Sequence, residues 1–533
     1  MSTVEHRRSR IDDLLRAQRQ IMTAAERFSN WHERSHNSTG ERYAHLIPLT
    51  KPEKGEQFSF EVNLDQCTGC KACVAACHSL NGLDDEESWR DTGMLTGGPG
   101  DPWLQTVTTA CHHCADPACA NGCPVLAYEK DAGTGIVRHL DDQCIGCSYC
   151  ILKCPYDVPK YNKKRGIVRK CDMCQQRLSA GEAPACVQAC PNEAIAIRIV
   201  KMPIAEGASS PPVPLLKNGN RGHDAPSTAL LPGAFPSSYT LPTTRYVSAK
   251  PLPENARPYA HNEIEPEHEH TPLAWMLVLT QMAAGLFACA AVMPSLARLP
   301  GIAGLGVLTL GLMVSVAHLG QPLRAWRCFL GWRKSWLSRE ILAFGGFFQV
   351  SAAAVFLGWP ALYAMAAAAG MVSVFCSSMV YIDTKRPCWA ARRTHLKFFG
   401  TALLLGSTAT AALLGLSGGP AEWFAGFTVA AVIVRAVLFF TERRVLHRDL
   451  ADPGSDCHRS ARILAEKLGD LLRLRSILIS IATVSGLLAL ANLPVLALVA
   501  LLTTFASQLL ERRLFFLSGA APRMPGVPMP VHE

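Results

Sequence analysis

Long apolar runs alternate with short basic stretches through the second half of the chain. A helix needs about 20 apolar residues to cross a hydrocarbon core of about 30 Å. Eight runs reach or approach that length: 273–293, 301–319, 340–358, 361–381, 398–416, 423–441, 476–493 and 495–511. The first half has no such run. Its apolar positions form short strand-like pieces at 58–64, 135–140 and 194–200, each beside a group of cysteines. Between the halves, 203–271 is rich in Pro, Ser and Gly, as in SSPPVP (209–214) and PLPENARP (251–258), with no helical or strand period. It reads as an extended tether. Near the start, 11–30 has the pattern of an amphipathic, solvated helix. The pattern divides the chain into an N-terminal helical extension (1–57), a cysteine-rich domain (58–202), a linker (203–271), a membrane domain (272–517) and a tail (518–533).

Composition agrees with two unlike halves. Over 533 residues, 49% are hydrophobic and only 18% charged, which excludes a disordered or collagen-like chain. The net charge of +9 sits mostly between apolar runs, so it reads as membrane topology and not as a nucleic-acid face. One loop holds Arg324, Arg327, Arg333, Lys334 and Arg339, and another holds Lys385, Arg386, Arg392, Arg393 and Lys397. The stretch 442–475 has eight Lys or Arg, and Arg512 and Arg513 follow the last run. In the alternate loops Arg298 is the one basic residue. The positive-inside rule then puts the basic loops, both termini and the cysteine-rich domain in the cytoplasm, with the chain multi-pass in the inner membrane. Arg7 and Arg8 form a twin-arginine pair, but Asp12, Asp13, Arg16 and Arg19 follow in place of an apolar export stretch. Retention in a reducing compartment makes the thiols metal ligands before disulfides.

Sixteen of the 21 cysteines lie in four groups. They are Cys67, Cys70, Cys73 and Cys77; Cys111, Cys114, Cys119 and Cys123; Cys144, Cys147, Cys150 and Cys154; and Cys171, Cys174, Cys186 and Cys190. Pro follows the last Cys of the second, third and fourth groups, and His78 stands at that place in the first. A loop with Cys at every third position wraps three thiolates around one corner of a cubane, and the Cys before Pro ligates the neighbouring cluster. Sixteen thiols supply four 4Fe–4S clusters with none left over. Structural zinc favours two separated pairs, and a disulfide scaffold needs export.

In the membrane half, His318 ends the second apolar run, Arg324 follows six residues later and Glu340 opens the third. Each alone reads as an interfacial side chain reaching for water. Together they suggest a quinone pocket, since a quinone needs hydrogen bonds to two oxygens and a route for two protons. Arg435, inside the sixth run, is expected to snorkel. No two His recur at one depth in facing helices, so no haem is expected. The five scattered cysteines, Cys289, Cys328, Cys376, Cys388 and Cys457, read as small core residues.

The four-group pattern, with its x4 insertion in group two and x11 insertion in group four, resembles the iron–sulfur subunit of dimethyl sulfoxide reductase-type molybdoenzymes. HLGQPLRA, SREI, MVYIDTKRPCW (379–389) and ERRLFF (511–516) resemble that family's membrane anchor. The resemblance implies a ferredoxin-like α+β four-cluster domain fused to an all-α membrane domain of eight transmembrane helices. It also implies the ligand sets. Cys67, Cys70, Cys73 and Cys190 would hold the first cluster, and Cys77, Cys171, Cys174 and Cys186 the second. Cys111, Cys114, Cys119 and Cys154 would hold the third, and Cys123, Cys144, Cys147 and Cys150 the fourth. His318, Arg324 and Glu340 match menaquinol-binding residues of the anchor. Catalysis and molybdopterin would belong to a partner subunit, with this chain relaying electrons to or from the quinone pool. The inward orientation looks more like the cytoplasmic sulfite dehydrogenase branch, in which sulfite becomes sulfate and quinone is reduced. The alternative is quinol oxidation driving reduction of an S- or N-oxide. A redox-linked proton pump would instead place acids mid-membrane in several helices. Glu340, Asp383, Glu422 and Glu511 all fall near run ends.

Overall fold

The computed structural model describes residues 43–97, 101–202, 230–259, 264–491, 495–520 and 523–524. The amphipathic stretch 11–30 lies outside them.

The N-terminal domain is a set of small sheets carrying long loops. β1 (Glu56–Asn63) pairs antiparallel with β8 (Ile195–Lys201), bringing the two ends of the cysteine-rich segment together. β2 (Asp91–Thr96) pairs with β3 (Leu104–Thr109), β4 (Tyr128–Lys130) with β5 (Val137–His139), and β6 (Lys160–Asn162) with β7 (Ile167–Arg169). Short helices follow the cysteine loops: α1 (Ala72–Asn81), α2 (Ala118–Gly122), α3 (Tyr149–Lys153), α4 (Gln175–Ser179) and α5 (Ala185–Gln188). Phe60, Val62, Ile195 and Ile197 are buried under the first sheet, so alternation along β1 and β8 supplies the core there. The strand-like pieces at 58–64, 135–140 and 194–200 correspond to β1, β5 and β8.

The expected tether is partly built into this domain. Within 230–259, β9 (Arg245–Val247) adds to β1 in parallel and β10 (Arg257–Pro258) pairs with β2. Gln57 Nε2 donates to Thr243 Oγ1 at 3.0 Å, and the Tyr156 hydroxyl meets Thr240 Oγ1 at 2.9 Å. Strands of two or three residues show no period. They form because β1 and β2 offer edge amides and carbonyls that need partners.

Eight helices are long and apolar enough to span a bilayer. They are α6 (Thr271–Val292), α7 (Arg298–Ala317), α8 (Trp336–Leu357), α9 (Pro360–Ile382), α10 (Ala391–Ser417), α11 (Ala421–Ala451), α13 (Gly469–Leu490) and α14 (Val495–Leu517); a short α12 (His458–Arg462) precedes α13. They match the eight apolar runs one for one. Helices α6 and α10 are the most enclosed, packed so closely that a Cβ on Gly285 would fall 1.9 Å from the Ala402 carbonyl oxygen. The outer helices show apolar side chains around their rims, as lipid contact requires.

Two expectations fail on the basic residues. Arg435 does not snorkel. It is buried and turned inward, donating to the Ala482 carbonyl at 3.3 Å and to Thr504 Oγ1 at 2.7 Å. Neighbouring helices satisfy it, so reaching the interface offers no gain. Arg512, expected to follow the last apolar run, lies inside the last helix. Helix α14 continues to Leu517, and Arg512 is fully buried against Glu511, Gln281 (2.9 Å) and Thr401 Oγ1 (3.1 Å). Glu511 also takes Lys397 Nζ at 2.6 Å, so these charges form an internal network joining α6, α10 and α14.

Candidate functional site

Gly69 and Lys71, Gly146 and Ser148, and Met173 and Cys174 all adopt left-handed backbone conformations within the cysteine loops. These turns point amides at sulfur. Gly146 N–H donates to Cys144 Sγ at 3.4 Å and Met173 N–H to Cys171 Sγ at 3.4 Å. Where a Pro follows the last Cys, the chain turns back in the same way: Ala127 N–H reaches Cys123 Sγ and Ala194 N–H reaches Cys190 Sγ, both at 3.2 Å. Such donors favour a negatively charged sulfur.

The sixteen thiols fall into four sets drawn from different groups. Cys67, Cys70, Cys73 and Cys190 line one small cavity. Cys77, Cys171, Cys174 and Cys186 line another. Cys111, Cys114, Cys119 and Cys154 line a third. Cys123, Cys144, Cys147 and Cys150 pack together with Val125, Ile145 and Cys328. Among the described residues no three Cys, His, Asp or Glu converge on a point fit for a single metal ion. The thiols surround a volume, as a multi-iron core requires and a lone zinc does not. Burial pushes the Cys77 thiol up to about 12 and lifts Cys114, Cys147 and Cys150 well above the ordinary range. Thiolates here therefore need a cationic core to displace their protons. The residues fit 4Fe–4S clusters.

Two buried cations stand between the sets. Arg90 lines the second cavity beside Cys77 and Cys186, with Cys73 of the first set near enough to act on its charge. Lys170 Nζ lies 3.6 Å from Cys111 Sγ and donates to the Cys171 carbonyl at 2.7 Å. It thus bridges the third set and the second. Neither lies in the cysteine spacing, and sequence reading missed both.

The fourth set meets the membrane helices. Gly146 and Gly166 press against Gly320, where a Cβ would fall 2.1 Å from the Gly166 carbonyl oxygen. Gln321 N–H donates to the Ile145 carbonyl at 3.0 Å, and Gly331 N–H to the Pro124 carbonyl at 2.8 Å. Ser335 Oγ reaches the Gly122 carbonyl at 2.7 Å. Lys153 pairs with Asp383 at 2.7 Å, and its side chain is 4% exposed. Tyr149, next to Cys150, is buried in the membrane domain's core and donates to the Val380 carbonyl at 2.9 Å. Burial first, then the charges of Asp383 and Glu340, hold its hydroxyl well above the ordinary range.

The three predicted membrane-site residues are not joined by any hydrogen bond or ion pair. Arg324 donates to the carbonyls of Asp141 and Cys144, both at 3.2 Å, and so clamps the fourth set's loop. Glu340 is buried on α8 with Ser377 and Tyr149 close by, and its Oε1 has no partner. His318 caps α7, with a buried Nδ1 that also lacks a partner.

Comparison with known proteins accords with this layout. Residues 103–199 match the 4Fe–4S dicluster domain, and residues 268–517 match the dimethyl sulfoxide reductase anchor subunit, DmsC. The B subunit of the anaerobic dimethyl sulfoxide reductase of Haemophilus influenzae is 40% identical over 150 residues, covering 26% of this chain and 73% of its own length. The corresponding B subunit of Escherichia coli is 39% identical over 148 residues, covering 26% and 72%. The iron–sulfur subunit of the nitrate-inducible formate dehydrogenase of Escherichia coli is 34% identical over 173 residues, covering 28% and 57%. An electron-transfer domain and a membrane anchor thus share one polypeptide, which belongs to the dimethyl sulfoxide reductase family as an iron–sulfur subunit fused to its anchor.

Proposed function

We propose that this chain relays electrons between a molybdopterin-containing partner subunit and the membrane quinone pool through four 4Fe–4S clusters. Each cluster is held by one of the four thiol sets that the cavities and packing define. The observation that carries the reading is the seating of the fourth thiol set on the membrane helices, with Tyr149 reaching from that loop into their core. Electron transfer needs closeness, and this set packs directly against Cys328 and Leu319 of the anchor.

The quinone site lies below it, bounded by Glu340 on α8 and His318 on α7. Two buried polar atoms without partners support this, because a quinone offers two oxygens to hydrogen-bond. Glu340 exchanges the proton that accompanies reduction, His318 orients the ring, and Arg324 holds the cluster loop above. When bound, the clusters split a two-electron quinone couple into single-electron steps.

The basic loops support a cytoplasmic cluster domain. That orientation favours sulfite oxidation with quinone reduction. The relatives named as dimethyl sulfoxide reductase subunits favour the opposite flow, from quinol to an S- or N-oxide. Inside-out vesicles from cells with and without the gene decide between them. Gene-dependent quinone reduction on adding sulfite supports the first. Gene-dependent quinol oxidation on adding dimethyl sulfoxide, with no response to sulfite, supports the second. Absence of both would sink the relay.

A further inference from the structure

Away from the cluster domain's contact lies a cleft of about 1570 Å³, formed by α10, α11, α13 and α14. This is larger than an ordinary small-molecule pocket. Its depth is apolar: Leu403, Ile433, Val437 and Phe440 line it with 48%, 57%, 52% and 70% of their surface exposed. Its rim is basic, with seven Lys or Arg against three carboxylates. Those carboxylates are already engaged. Asp449 pairs with Arg393 and Arg448, Glu442 with Arg475, and Glu511 with Lys397. Arg392, Arg443 and Arg444 have no carboxylate partner among the described residues, and Arg443 donates only to Ser476 Oγ at 3.2 Å.

The charge sits at one end. The rim lies where α10 begins and α11 ends, the end that faces the cluster domain through Lys153 and Asp383. From Arg392 to Leu403 the cleft follows α10 for about 16 Å at the rise of a helix. A basic mouth at the headgroup level above a long apolar trough matches a molecule with an anionic head and hydrocarbon chains. A quinone would need neither the three spare cations nor this distance from the fourth thiol set, none of whose residues line the cleft.

We propose that the cleft binds an anionic phospholipid, its phosphate held by Arg443 and Arg444 with Arg392 opposite and its acyl chains along α10 and α11. The bound lipid fills the space that protein packing leaves between α11 and the rest of the bundle.

The test uses the full chain with its partners, extracted in mild detergent, with bound lipid measured by native mass spectrometry. Three forms are compared: wild type, the double variant Arg443→Gln with Arg444→Gln, and Arg473→Gln. Arg473 pairs only with the exposed Asp470 and lies outside the cleft. Wild type and Arg473→Gln should retain phosphatidylglycerol or another anionic phospholipid, and the double variant at least about tenfold less, given what two basic residues contribute at a membrane surface. Equal retention in all three, or a zwitterionic lipid or quinone in its place, would overturn the proposal. Stripped wild-type protein supplies a second readout. Its thermal midpoint should rise on adding phosphatidylglycerol but not phosphatidylcholine. An equal response to both, or a dimer that closes the cleft without lipid, counts against it.

Discussion

A positive charge beside a cluster lowers the energy of the added electron. Arg90 is 2% exposed, its guanidinium 4.7 Å from the Phe60 ring, with Thr108 Oγ1 at 3.3 Å as its hydrogen-bond acceptor. Lys170 is 3% exposed and bonded to carbonyls. Neither charge is neutralised by a carboxylate contact, so each acts on the thiol sets around it. At an effective dielectric of about 20, unit charges about 7 Å apart interact by roughly 2 kcal/mol, close to 90 mV for one electron. Lys170→Met should therefore lower the potentials of the second and third clusters by tens of millivolts in a redox titration followed by EPR. Unchanged potentials would remove Lys170 from that role. A ligand substitution tests the sets themselves. Cys147→Ser should remove or convert one cluster signal and leave the other three, because Cys147 belongs to a single set. At the membrane site, Glu340→Gln should slow quinone turnover by about tenfold or more while the cluster signals persist, in keeping with the usual contribution of a proton-transfer group. Normal turnover would refute the assignment. The four cysteine groups were legible because cubane ligation imposes spacing on the sequence, whereas their assortment into sets came from the family resemblance. Arg90 and Lys170 were not, since a cation brought near by folding leaves no periodic trace.

At the scale of elements, the question is what holds the fourth loop on the helices. Hydrogen bonds between backbone groups contribute about 1 kcal/mol each. The Lys153–Asp383 pair matters more, because removing one partner leaves a buried charge alone at a cost of about 3–5 kcal/mol. Asp383→Ala should loosen the cluster domain and expose the loops around Cys123 and Cys144 to protease, whereas wild type resists. Equal resistance would mean that the glycine contact carries the docking. In that case Gly320→Ala, which forces a Cβ against the Gly166 carbonyl, should give the same loss. The eight helices were readable from apolar run length alone. The docking was not. Lys153, Asp383, Gly320 and Tyr149 meet through folding across more than 150 residues of chain, and none belongs to a local pattern. The β9 and β10 pieces escaped for the opposite reason: they are too short to alternate.

On the scale of the whole molecule, one polypeptide joins a row of thiol sets to a helical bundle. Fusion fixes their ratio and holds the fourth set against the helix ends without a subunit equilibrium. The basic stretches behind the expected orientation have two fates. Arg392 and Arg444 stay exposed, while Arg475 and Arg512 are buried in polar networks. Counting charges therefore predicts a side of the membrane, but it does not say which arginines touch water. The central claim is passage of electrons from the clusters through the fourth set to quinone beside Glu340. Its most direct test reduces the full chain chemically in membranes, adds quinone, and follows the clusters by EPR on rapid freezing. The account predicts prompt oxidation of the clusters in the wild type and slow oxidation in Glu340→Gln. Clusters that stay reduced in the presence of quinone, or that oxidise equally fast in both proteins, would contradict it.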